Sequence, residues 1–249
     1  MRRLRPHQRL LVPLILLGSV GFAETAYAYV LPADFIMRML ADKRRRMGIR
    51  DLSVQLTTDI DGEDDPVEDR IYMKAPERLR HIRQTENETT VLVLREGKSA
   101  RGDESKLERI EGPARNLLPL LLMPLGKDLD EMQAHMVTSL GTLGIDTATV
   151  TLGRFNGVVT YVIGGADPSK SQLWIDKETF LPMRLMLPKQ WSGTSGRVEL
   201  RWLEFGSSAT GDWFPRVLER YVDDARIERS EVAKIELNKK LPETLFDLP

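Results

Sequence analysis

The run from Gln172 to Leu185 constrains the fold more than any other stretch of this chain. Leu173 and Ile175 fall on one side of a first strand, and Leu181, Met183, Leu185 and Leu187 share a side of a second. Between them stands Asp176-Lys177-Glu178-Thr179, a set of ordinary turn formers. The segment therefore reads as an antiparallel hairpin with two apolar faces. Its information lies in the faces rather than at the turn, which predicts a sheet that covers something.

The same signal recurs on both sides of it. Leu52, Val54, Leu56, Thr58 and Ile60 alternate, and an acidic turn from Asp59 to Asp65 follows. Arg70–Lys74, Arg78–Gln84 and Thr89–Arg95 read as further strands, the last closed by Glu96-Gly97-Lys98. Asn156-Gly157 joins Ala148–Phe155 to Val158–Ile163, the strongest short hairpin signal there is. Arg197–Phe205, Trp213–Val222 and Ile227–Leu237 complete a meander of about ten strands, enough for an antiparallel sheet to curl. The spacing predicts a mainly β (α+β) fold, an antiparallel sheet large enough to curl with only a few helices to cover one face.

Helices are few. Asp34 is placed to cap the first, whose stripe is Phe35, Ile36, Met39 and Leu40 and whose stop is Gly48. Lys43, Arg44, Arg45 and Arg46 fall in its last turns, where positive charge complements the helix dipole, and they read as a solvated end. A helical insert around 115–144 separates two groups of strands. It opens on Asn116–Leu125, apolar almost throughout and broken by Pro119 and Pro124. Asp128 and Glu131 then cap a helix carrying Leu129, Met132, Met136 and Leu140. Leu117–Leu125 reads either as plain core or as a cover over an apolar groove that an acyl chain enters.

Ahead of all this, Arg2, Arg3, Arg5 and Arg9 precede an apolar run from Leu10 to Ala23 and an Ala26-Tyr27-Ala28 cleavage site. Residues 1–28 read as a cleavable signal peptide, too short in its apolar core for a comfortable span. Removing those 28 of the 249 residues leaves 221, one domain from 29 to 249, with 32 basic and 36 acidic residues and a formal charge of −4. No basic stripe suggests nucleic acid. There is no cysteine, so an exported chain of this kind holds together on its core alone, without disulfide or lipid anchor. A periplasmic monomer is the expectation.

Chemistry is hard to find. His81 and His135 have no ligand at metal-binding spacing, and Gly193-Thr194-Ser195-Gly196 lacks the spacing of a nucleophile elbow. Asp61–Asp65 is interrupted by Pro66 and is no calcium loop. The sequence predicts no enzyme and no cofactor.

Three features together point to a family. They are the Leu173-Trp174-Ile175-Asp176-Lys177-Glu178-Thr179 hairpin with its Leu181-Pro182-Met183-Arg184 return, the Gly211-Asp212-Trp213-Phe214-Pro215 run, and the closing Leu241-Pro242-Glu243-Thr244-Leu245-Phe246-Asp247-Leu248. With the signal peptide and the early helix, they resemble the periplasmic outer-membrane lipoprotein-sorting proteins of the LolA/LolB-like superfamily. The match covers most of the chain after residue 28 and is densest from Tyr161 onward. The resemblance implies a strongly curved, half-open antiparallel β-barrel wrapped around those few helices and an apolar cavity, and a carrier of lipoproteins or other acylated lipids toward the outer membrane. It also implies an inner-membrane transporter as donor and an outer-membrane acceptor. The expected cavity residues are Leu118, Leu121, Leu122 and Met123 from the cover and Met136 from the helix. Leu173, Ile175, Met183 and Leu185 are expected from the sheet. The alternative is an envelope sensor or interaction module that docks a membrane-bound partner and carries nothing.

Overall fold

The computed structural model describes residues 30–75, 77–110, 128–192, 195–208 and 210–249. The expected signal peptide and cover segment lie outside them. Thirteen strands form one antiparallel sheet. The first six are β1 (Asp51–Ile60), β2 (Val67–Lys74), β3 (Arg78–Gln84), β4 (Thr89–Arg95), β5 (Lys98–Gly102) and β6 (Leu107–Ile110). After the helix α2 (Leu129–Thr142) come β7 (Val150–Phe155), β8 (Val158–Ile163), β9 (Gln172–Asp176) and β10 (Pro182–Leu187). A single helical turn, α3 (Lys189–Ser192), precedes β11 (Val198–Leu203), β12 (Val217–Val222) and β13 (Ala225–Leu237). Among the described residues, each strand pairs with its sequence neighbour, except that β6 and β7 are the two unpaired edges and β1 pairs with β13. That long-range pairing welds the two meanders, running from Leu52 opposite Leu237 to Ile60 opposite Glu228.

β5 and β6 were not expected. They are short and carry little apolar alternation, and the Glu96-Gly97 pair, both at positive φ, is a tight turn into β5 rather than an ending. Asn156-Gly157 turns as expected, also with both residues at positive φ. In the hairpin of β9 and β10, Leu173 stands opposite Leu185. The return strand carries a bulge, because Pro182 faces Ile175 while Arg184 faces Trp174. Proline has no N–H to give the ladder, and Met183 is the residue left over. The expected single face of Leu181, Met183, Leu185 and Leu187 is broken there.

The first helix, α1 (Ala33–Arg46), and α2 lie on one face of this sheet. Pro32 occupies the cap position of α1 and offers no side-chain acceptor, so Asp34 sits inside the first turn instead of capping it. The buried face is Ala33, Ile36, Met37, Leu40, Ala41 and Arg44. Phe35 and Met39, expected in the stripe, lie one position around the helix and are 44% and 37% exposed. In α2 the expectation holds: Asp128 accepts from the Glu131 N–H at 2.9 Å, and Met132, Met136 and Leu140 are buried.

On the opposite face, the C-terminal residues run back over the sheet. The 3-10 turn Glu243–Phe246 packs on β3 and β4, with Phe246 fully buried on the side where Val91, Val93 and Ala100 are also enclosed. Lys74 donates to the Leu241 carbonyl at 2.6 Å and pairs with Glu243 at 2.8 Å, and Arg95 pairs with Asp247 at 2.9 Å. Arg109, on the edge strand β6, donates to the Pro249 carboxyl end at 2.9 Å.

Candidate functional site

The face under the helices alternates with the register of every strand. Leu52, Val54 and Leu56 from β1 and Ile71 and Met73 from β2 belong to it, as do Tyr161, Ile163, Leu173, Ile175, Leu185, Leu187, Leu200 and Trp202 from the second meander. Ile36, Met37 and Leu40 of α1 and Met132, Met136 and Leu140 of α2 close over them. The structure thus brings Met136, Leu173, Ile175 and Leu185 together in one cluster, each at zero exposure. Met183, at the bulge, is outside it. Leu118, Leu121, Leu122 and Met123 lie outside the described residues.

At the β7 rim this interior opens into a cleft of about 530 Å³, lined by Val30, Leu31, Ala33 and Asp34 at the start of α1, Val137 of α2, and Thr147, Ala148 and Val150. That is within the range of about 300–1,000 Å³ usual for small-molecule pockets. Val30, Leu31, Val137 and Val150 are half-buried and pack on the same cluster, so the cleft walls are the outermost layer of the core. The sequence offers little warning of it, since its lining comes from the segments leading into α1 and β7 and from one flank of α2 rather than from a motif. Polar ties hold the two helices side by side: Arg38 reaches Asp130 at 2.6 Å and Gln133 at 3.1 Å, and Gln133 donates to the Asp34 carbonyl at 3.0 Å. His135 pairs with Glu77 at 2.8 Å and fixes α2 to the β2–β3 turn.

Two charged features interrupt the apolar face. Arg44, expected in a solvated helix end, is 3% exposed. It donates to the Trp213 carbonyl, its guanidinium lies 5.8 Å from the Trp213 ring, and Nε and Nη2 have no hydrogen-bond partner among the described residues. Burial lowers its pKa to about 10, against the opposing pull of Asp212.

The second is a cluster beyond the helices. Register places Thr58, Asp69, Arg83, Ser230, Glu228 and Arg220 on the same sheet face as the core: Asp69 stands opposite Leu56, Ser230 opposite Leu218, and Arg220 opposite Leu200. Asp69 is buried and takes four bonds. Its Oδ1 accepts from Arg83 Nε at 2.9 Å and lies 2.7 Å from His81 Nε2. Its Oδ2 accepts from Arg83 Nη2 at 3.0 Å and from Thr58 Oγ1 at 2.7 Å, and Thr58 is 2.8 Å from Ser230 Oγ. Arg83 Nη1 donates to Glu228 Oε1 at 2.9 Å, which Arg220 Nη1 also approaches at 3.5 Å. Burial alone would push the Asp69 carboxyl up, but hydrogen bonds from His81 and Arg83, and their charge, hold it far below the ordinary range. Arg83, despite burial, is held more firmly protonated by Asp69 and Glu228.

No family model and no curated protein sequence matches this chain. Solved structures do match it. A LolA superfamily protein from Nitrosomonas europaea aligns over 88% of this chain and 99% of its own, with TM-score 0.54 and 13% identity. A domain from Vibrio parahaemolyticus, described as a candidate outer membrane lipoprotein-sorting protein, aligns over 84% and 95%, with TM-score 0.51 and 9% identity. A DUF1329 family protein from Desulfovibrio piger aligns over 87% and 98%, with TM-score 0.54 and 12% identity. The fold is LolA-like: a large, curved, unclosed antiparallel sheet with helices on one face.

Proposed function

We propose that this chain is a periplasmic carrier that holds the acyl chains of lipoproteins or other acylated lipids between its helices and its sheet. The observation that carries the reading is the cleft at the β7 rim, whose apolar residues Val30, Leu31, Val137 and Val150 pack on the helix-covered core. Each methylene buried there contributes about 0.8 kcal/mol, so a chain of about ten carbons reaches micromolar affinity. Met136, Leu173, Ile175 and Leu185 are the proposed inner wall, reached when α2 shifts from the sheet. The LolA-like fold supports the reading at the level of architecture. A domain of the same fold described as lipoprotein-sorting suggests the cargo class and, with it, a membrane donor and an outer-membrane acceptor.

The test is binding of a fluorescent acyl probe to delipidated protein, with mass spectrometry of lipids co-purifying from the periplasm. Val137→Asp places a charge in the cleft wall and weakens the probe by about tenfold or more. Unchanged affinity in that variant overturns the reading.

One observation favours a second reading, an interaction module that carries nothing: Leu173, Ile175 and Leu185 have no exposure at all. Under that reading wild-type protein binds no acyl probe.

A further inference from the structure

A charged cluster on the largely apolar inner face of a curved sheet is costly. Stripping Asp69, Arg83 and Glu228 of water costs more than well-packed leucines would, and leucines occupy the neighbouring positions Leu56, Leu200 and Leu218. A perturbed, partnered ionisable group in such a place marks a site.

The chemistry of that site follows from which bonding capacity is left over. Both oxygens of Asp69 are saturated, each taking two bonds. Glu228 Oε1 is shared between two guanidiniums. The donors, by contrast, are in surplus. Arg83 uses Nε and one N–H from each terminal nitrogen, leaving a second N–H on both. Arg220 makes a single long contact and has 37% of its side chain exposed. The cluster thus holds unused N–H donors for an acceptor-rich anion, on the side where Arg220 meets solvent.

Its place in the sheet says what carries that anion. Reading across the register, Val150 of the cleft stands opposite Ile163, then Leu173, Leu185, Leu200 and Arg220 in turn. One row of side chains thus runs from the apolar cleft to the cluster, about 24 Å along five strand spacings. Taking the acyl-binding reading as its premise, we propose that Arg83 and Arg220 form a headgroup site for an anionic amphiphile, a carboxylate or a phosphate monoester whose chain lies along this row. Glu228 holds the two guanidiniums in place and competes with the ligand for them.

Equilibrium binding of dodecanoate, dodecyl phosphate and dodecanol to delipidated full-length protein tests this. Wild-type protein binds the anionic probes about tenfold more tightly than dodecanol, the worth of one charge-assisted contact. Whichever anion binds tighter identifies the headgroup. Arg220→Gln, at an exposed position, brings the anions to within about twofold of dodecanol and leaves dodecanol unchanged. Glu228→Gln moves the other way and widens the preference, a gain that misfolding does not mimic. Equal affinity for all three probes in wild-type protein, or a preference untouched by Arg220→Gln, overturns the headgroup site while the acyl reading stands. Failure of every probe to bind overturns the acyl reading and the headgroup site with it.

Discussion

The histidines and the buried arginine show where residue-level reading stops. His81 and His135 each meet a carboxylate, Asp69 and Glu77, at 2.7 and 2.8 Å. Neither pairing has a local spacing, because register and helix docking create them. The same holds for Arg44, which a run of four basic residues disguises as one more solvated cation until Trp213 arrives from the far end of the chain. Asp69 has the clearest consequence. Its carboxyl titrates lower in the folded than in the unfolded chain. The stability it contributes is complete above the ordinary carboxylate range, near about pH 4, and is lost as pH falls further. Asp69→Asn costs about 3 kcal/mol at neutral pH and flattens the acid limb of the stability curve, measured by urea unfolding from pH 7 downward. Arg44→Met keeps the stem but orphans the Trp213 carbonyl and removes the cation beside its ring, and it destabilises by about 1 kcal/mol in the same assay.

Elements were legible where their signals were local. The Asn156-Gly157 hairpin, the alternation of β1 and the capped α2 all follow from chemistry within a few residues. β5 and β6 escaped because their sequences, Lys-Ser-Ala-Arg-Gly and Leu-Glu-Arg-Ile, owe their conformation to the partner strand beside them. The bulge at Met183 escaped for a related reason, since two-residue periodicity assumes an unbroken ladder. For α2, the cap is worth testing alone: Asp128→Ala removes the acceptor for the Glu131 N–H and costs about 1 kcal/mol, read as a lower thermal midpoint. If α2 is the element that shifts during loading, this variant also speeds probe exchange, because fraying begins at that end.

Across the whole molecule, the curved sheet, its single helix-covered face and the apolar interior were legible, while the site was so only in part. Four expected cavity residues converge, Met183 does not, and neither the cleft nor the charged cluster has a sequence signature. The C-terminal segment belongs to this scale as well. Deleting residues 241–249 exposes the surface under Phe246 and frees Lys74, Arg95 and Arg109. Hydrogen exchange then quickens across β2–β6 and leaves β8–β11 protected. That segment also sets an order of assembly. The strands from 51 to 110 are made early in synthesis, yet β1 gains its second neighbour only with β13, and Phe246 covers β3 and β4 later still. β1, β3 and β4 thus wait for residues made more than a hundred positions later. Within each meander, β1–β6 and β7–β13, every pairing is between sequence neighbours, and the pairing of β1 with β13 is the long-range one that joins them. A chain wired this way has a built-in delay: strands made early stay uncovered on one side until residues 225–246 arrive beside them.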